Sequence, residues 1–210
     1  MTVLSAGGVG LLVGGSIGFG IRILLAGLRR GTVLPAGPIE LAAALVAAVG
    51  AAIGWGTPLL ATVLWIGLYA VAAGFVDIRH HRLPDALTLS AVPITAVVLL
   101  VTEWVAPATG SPIRSALTAV GVGALFAAPA LLSPVAMGWG DVKLMVSLGA
   151  ATGFVSVAAA LLAVVVGFVL AAVVALAGIL FGRWTTKSAI PLGPFLLLGS
   201  WLVLLWASVR

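Results

Sequence analysis

Divided into apolar and polar positions, the chain is a series of long oily runs separated by short polar breaks. Eight apolar runs lie near 5–28, 39–56, 58–76, 86–105, 114–132, 142–153, 156–181 and 190–208. Most approach the ~20 residues a helix needs to cross the ~30 Å hydrocarbon core of a bilayer. None alternates polar and apolar as a barrel strand would; Ala158–Leu180, for example, is apolar throughout. In lipid only helices and closed barrels satisfy the backbone, so the pattern predicts an all-α polytopic membrane protein with about eight transmembrane helices. The sixth run is short and reads as a segment dipping in from one face, with Gly153 at the turn into the seventh. No sizeable soluble stretch interrupts the runs, which makes 1–210 a single integral membrane domain. Within it, 1–56 forms two helices joined by a short basic loop, and 57–210 forms a six-helix part.

Composition agrees with a lipid solvent. The 210 residues are 63% hydrophobic and 7% charged, against roughly 25% charged for a soluble domain. The net charge of +5 would suggest nucleic acid in a soluble protein; here the basic residues read as topology signals, and no nucleic-acid partner is expected. With eight spans, Arg29, Arg30, Arg79, Arg82, Lys143, Arg183 and Lys187 fall on one face, while Arg114 and Arg210 fall on the other. The positive-inside rule makes the basic face cytoplasmic and puts both termini outside. The absence of cysteine rules out disulfides, cysteine-bound zinc and thiol catalysis. The start, "MTVLSAGG", lacks the basic region of a secretory signal peptide.

Several motifs have structural readings. Gly10, Gly14 and Gly18 form overlapping GxxxG spacings, which suit close helix packing. "GGVGLLVGG" is no dinucleotide loop, because it sits inside an apolar helix with no strand before it. His80 and His81 are adjacent and no HExxH is present, so no metal is expected and a solvated loop is the better reading. "GWGDVK" is not a Walker loop, and no cofactor is predicted. Arg22, inside the first run, is costly unless it snorkels or pairs with an acid such as Glu40. Trp104, Trp139, Trp184 and Trp201 suit interfacial belts.

Five acids are few enough to take singly, since a carboxylate at the edge of lipid needs a reason. Glu40 follows a proline and reads as a helix start; Glu103, beside Trp104, reads as an interface residue. Asp77 ends the third run, where a simple pairing with Arg79 or Arg82 competes with a chemical role. Asp85 follows "LP" and suits the first turn of the fourth helix, with a place beside Asp77's site left open. Asp141 lies in "GWGDVKL", where Gly138 and Gly140 would permit a tight turn with positive φ and Asp141 would fall at or near a helix N-cap. On eight spans Asp77 and Asp141 share the cytoplasmic edge. There the opposed ends of two helices favour a proton on Asp77 and charge on Asp141, so the pair can activate water on a peptide carbonyl.

Together, "DIRHHRLPD" from Asp77 to Asp85, "GWGDVKL", Thr88, and "IPLGPFLLLG" over Ile190–Gly199 resemble the type IV prepilin peptidases, bacterial GxGD-type membrane aspartyl proteases. The three stretches occur in the family's order and span 75–200. The resemblance implies GxGD aspartyl protease architecture and removal of the short basic leader from prepilins or pseudopilins at the cytoplasmic membrane edge. It implies Asp77 and Asp141 as the catalytic pair, with Asp85, Gly138, Gly140 and Lys143 supporting the site. Pro191, Gly193 and Pro194 match the C-terminal motif. Long members carry a four-cysteine loop between the first two helices, tied to N-methylation of the product; here only "RRGTVLPA" remains, which speaks against methyl transfer. Two other readings compete. One is another GxGD-type protease, preflagellin or signal-peptide-peptidase-like. The other is a small proton- or cation-coupled transporter using the same acids.

Overall fold

The computed structural model describes residues 2–28, 32–132, 137–185, 188 and 190–210. Within them lie eight helices: α1 (Val3–Gly27), α2 (Pro38–Gly54), α3 (Leu60–His80), α4 (Asp85–Val105), α5 (Pro112–Leu132), α6 (Trp139–Val155), α7 (Val157–Leu180) and α8 (Gly193–Ser208). No strand occurs among the described residues. Five of the helices, α1, α3, α4, α5 and α7, are long and apolar enough to cross a membrane. Arg29, Arg30 and Lys187, which contribute to the charge asymmetry, lie outside the described residues.

The first two helices form an antiparallel pair. A Cβ added to Gly10, Gly14 or Gly18 would come within 2.5 Å of the Ala47 carbonyl oxygen, 2.6 Å of that of Ala43 and 2.7 Å of the Glu40 Cα. Only glycine permits this backbone approach, which is the packing the GxxxG spacing predicts. Arg22 Nε donates to Glu40 Oε1 at 2.6 Å across the same seam. Glu40 Oε2 accepts from the Gly37 N–H at 2.8 Å, which makes it a helix-start residue as well.

The remaining six helices run alternately between two ends of the bundle. Residues 56–59, 106–109, Val155, Ala207, Ser208 and Arg210 line one cavity, so the α2–α3, α4–α5 and α6–α7 turns meet the C-terminus at one end. At the opposite end Leu83 abuts Gly140, and Asp85 pairs with Lys143. The fully buried core comes chiefly from α3, α6 and α8, with Val63, Ile66, Leu144, Leu148, Leu196, Leu197 and Leu204. The helices around it expose apolar side chains such as Leu12, Leu117 and Val173, as a lipid solvent allows.

Two expectations are corrected here. The sixth segment does not turn at Gly153. It continues as a 17-residue helix and breaks at Ser156, whose extended backbone (φ −166, ψ 159) also caps α7. Gly153 lies inside α6, so close to α5 that a Cβ would overlap the Thr118 side chain. The apolar run looks short because α6 is enclosed by protein, not lipid. Its buried Thr152 hydroxyl donates to the Leu148 carbonyl instead of meeting solvent, and it interrupts the oily pattern without ending the helix. Nor is Trp201 interfacial. It is buried in the core, donating from Nε1 to the Val63 carbonyl at 3.1 Å over the face of Gly67. An indole finds a mid-bundle partner there without reaching a headgroup.

Candidate active site

Four chain segments far apart in sequence meet at one end of the bundle. The first is the last turn of α3. Its Asp77 is 5% exposed, and its carbonyl accepts the His81 N–H at 2.7 Å, where His81 takes a left-handed conformation (φ 49) to end the helix. Asp77 makes no ion pair with Arg79, Arg82 or any other described residue, so the simple pairing reading is not what the structure shows.

The second segment is the short link into α4. Leu83 is buried, Pro84 precedes the first turn, and Asp85 stands exposed in that turn. Thr88 is fully buried one turn on. The third is the start of α6, where Gly138 is the N-cap and Asp141 sits three residues into the helix, its N–H bonded to the Gly138 carbonyl at 3.0 Å. Neither glycine uses positive φ, contrary to the expected tight turn. Gly138 is extended (φ −76, ψ 140) and Gly140 is helical. The use of Gly140 is proximity: a Cβ there would lie 3.2 Å from the Leu83 Cβ, so the α3–α4 link can lie flat on the first turn of α6. Lys143 reaches across to Asp85 Oδ1 at 2.6 Å and ties the same two segments together. Asp85 and Lys143 therefore neutralise each other beside the two other acids.

The fourth segment begins α8. Pro194 lies in the first turn of the helix, whose N-cap is Leu192. The N–H of Gly193 faces the Asp77 carboxylate. A Cβ on Gly193 would fall 2.7 Å from Asp77 Oδ2 and 3.6 Å from Asp141 Oδ1. Both carboxylates therefore border one point, and the two oxygens are apart by at most the sum of those distances, 6.3 Å. Asp141 itself has no hydrogen-bond or ion-pair partner among the described residues.

Two oxygens each hydrogen-bonded at ~2.8 Å to one intervening atom would stand up to roughly 5.6 Å apart. The arrangement thus suits one small group held between two acids. Two acids bordering one point, one protonated and one ionised, are what acid–base chemistry on a carbonyl requires. Beside them Ile78, His81, Trp184, Ile190, Pro191 and Phe195, with Pro194, line a cleft of about 480 Å³. Sequence reasoning assigned His81 to a solvated loop and Trp184 to a belt, and it assigned nothing to Ile78 or Phe195. The signal available was position: Ile78 and His81 lie inside the Asp77–Asp85 stretch, Phe195 lies inside the Ile190–Gly199 stretch, and Trp184 stands six residues before the latter. Among the described residues no cluster of three or more His, Cys, Asp or Glu side chains is placed to hold a metal.

Fold and site define a helical multi-pass membrane protein whose two least-partnered acids converge at one end of the bundle. The profile of the Type IV leader peptidase family matches residues 64–182, more than half of the chain, and the chain belongs to that family. The match takes in Asp77, Asp85, Asp141 and Lys143 and stops short of Gly193. The chain is similar to the prepilin leader peptidase/N-methyltransferase of Aeromonas salmonicida (strain A449), 30% identical over 179 residues, covering 81% of this chain and 57% of the relative. The protein of the same name from Aeromonas hydrophila is 30% identical over 175 residues, with 81% and 58% covered. The chain therefore spans little more than half the length of these curated relatives. No solved structure matches it significantly.

Proposed function

We propose that this chain is a membrane aspartyl endopeptidase that removes the short basic leader of a prepilin or pseudopilin at the cytoplasmic edge of the bacterial inner membrane. The observation that carries the reading is the convergence of Asp77 and Asp141 on Gly193. In the proposed reaction the ionised carboxylate takes a proton from water, and the water oxygen bonds to the scissile carbonyl carbon. The protonated carboxylic acid donates to the carbonyl oxygen as charge develops there. The tetrahedral diol then collapses: the ionised carboxylate takes back a proton from one hydroxyl as the carbonyl re-forms, the other acid gives its proton to the departing nitrogen as the C–N bond breaks, and the pair again holds one proton.

Position supports the substrate class. An acid pair at the end of the bundle suits a peptide whose apolar helix lies in lipid and whose cut point lies at the edge. The described basic residues Arg79, Arg82, Lys143 and Arg183 belong to the site end, which favours a cytoplasmic orientation by the positive-inside rule. The relatives' second named activity is not carried over, because no cysteine is present for the loop that the family resemblance ties to it. The transporter reading is disfavoured because the acids stand at an end of the bundle, not near mid-membrane where transporter sites form.

The test is co-expression with a candidate prepilin and measurement of leader removal by mass. Asp77→Asn and Asp141→Asn are each expected to abolish cleavage while the protein still inserts. Undiminished cleavage by either variant refutes the pair. A pH-dependent ion flux without cleavage would favour the transporter.

A further inference from the structure

Between α5 and α7, on the face opposite the site's end of the bundle, a groove of about 580 Å³ opens outward. Its walls are apolar: Leu117, Gly121 and Leu125 from α5, Val157 and Leu161 from α7. All five are exposed. At its mouth, in the first turn of α5, stands Arg114. This guanidinium has no acidic partner among the described residues. Its Nε and Nη2 donate to the carbonyls of Gly153, Phe154 and Val155 at the end of α6, while Nη1 bonds to no described protein group. The carboxyl end of α6 orients the cation, and Nη1 is left to donate outside the protein.

We propose that this groove is a binding site for a glycerophospholipid, with one acyl chain between α5 and α7 and the phosphate on Arg114. Two features select this occupant. First is charge: a phosphate oxygen at the groove's mouth would accept from the free Nη1 of a guanidinium that has no acid partner among the described residues. Second is length. Arg114 and Leu125 are eleven residues apart on one helix, about 16 Å at ~1.5 Å per residue. That is close to the ~15 Å of one leaflet's hydrocarbon. A chain hung from a phosphate at Arg114 would run the groove's full depth. The site is independent of the proposed peptidase chemistry, which lies at the other end of α6.

Gly121 supplies a clean probe. A Cβ there would meet nothing within 4 Å, so a side chain can leave the backbone freely at this groove-lining position and Gly121→Phe places a ring in the groove. The full chain, purified in detergent, is titrated with phosphatidylglycerol and, separately, with diacylglycerol, which has the chains but no phosphate. Native mass spectrometry counts the retained molecules. The wild type is expected to retain one phosphatidylglycerol and to bind diacylglycerol roughly tenfold or more weakly, as loss of a charge-assisted contact implies. Gly121→Phe is expected to lower phosphatidylglycerol retention by a similar factor, with an unchanged melting temperature in lipid-free detergent. Equal retention by wild type and Gly121→Phe overturns the site. Equal binding of the two lipids overturns the role of Arg114. A dimer closing over the groove with no lipid retained overturns the choice of occupant.

Discussion

The two ends of the helical bundle hold charged groups in similar settings and use them differently. At the end where the α4–α5 and α6–α7 turns meet, Glu103 and Arg114 serve the backbone, while Arg210 lies over the Trp206 ring. Glu103 accepts the N–H groups of Ala108 and Gly110, at 2.8 and 3.1 Å, and Arg114 gathers the last carbonyls of α6. At the site end Asp85 and Lys143 neutralise each other, but Asp77 and Asp141 form no ion pair among the described residues and border one another through Gly193. A charge near lipid is costly wherever it stands. Where the cost is offset by backbone bonds, the residue is explained by stability. Asp77 takes the Gly193 N–H and Asp141 takes no donor among the described residues, and the proposed peptidase gives the two acids a common reason to stand there.

The contrast breaks most sharply at the proposed catalytic pair. Asp77→Asn or Asp141→Asn should reduce leader removal by about 10²-fold or more, the range general acid–base groups supply. Each should leave the melting temperature close to the wild type's, since an isosteric amide relieves repulsion between two acids. Cleavage rate by mass and melting in the same detergent check both halves. Collapse of the fold in both variants would mean that the site end is structural too.

Next is Gly193→Ala. The added methyl would meet Asp77 Oδ2 at 2.7 Å, so the carboxylate must shift. Misplacement of about 1 Å at a reacting group can cost 10²-fold in rate. The expected loss is of that order at most, since part of the displacement can be relaxed. A fully active Gly193→Ala protein would show that the approach of α8 to the acids is incidental.

At the other end the expected pattern reverses. Arg114→Gln leaves carbonyls of Gly153, Phe154 and Val155 short of a donor, at about 1–3 kcal/mol for a buried group left unmet. The melting temperature should fall, while cleavage per folded molecule should change little. Loss of activity without loss of stability would erase the distinction between the ends.

These differences mark what the sequence could reveal. Apolar run length is a property of single segments, so α1, α3, α4, α5 and α7 were legible within a few residues of their bounds. The Asp77–Asp141 convergence was legible only as a shared membrane face, because alternation of spans places residues at an end and says nothing about distance across it. Gly193 appeared through a motif and not through geometry, since no pattern along α8 reveals which glycine meets a carboxylate. Gly153, Trp201 and the glycines before Asp141 were misread for one reason. Each was assigned a local or lipid-facing role, whereas its actual constraint is a neighbouring helix: Thr118 for Gly153, Val63 and Gly67 for Trp201, Leu83 for Gly140. Enclosure by protein is invisible to a hydropathy pattern that sees only oil or water.

The smallest expected effect lies within the site end itself and divides it in two. Asp85 and Lys143 meet at 2.6 Å, with side chains 67% and 30% exposed. A pair this open is screened by water, and exposed pairs measured by double-mutant cycles couple by roughly 0.2–1 kcal/mol. A cycle of Asp85→Asn, Lys143→Gln and the double variant should therefore give a melting-derived coupling under about 1 kcal/mol. The single variants should cut the cleavage rate severalfold at most, because the pair ties the α3–α4 link to α6 without bordering Gly193. A loss as large as that of Asp141→Asn from Asp85→Asn alone would move Asp85 from the structural group into the chemistry. The comparison would then be between three acids engaged in chemistry at one end and a single backbone-bonded acid, Glu103, at the other.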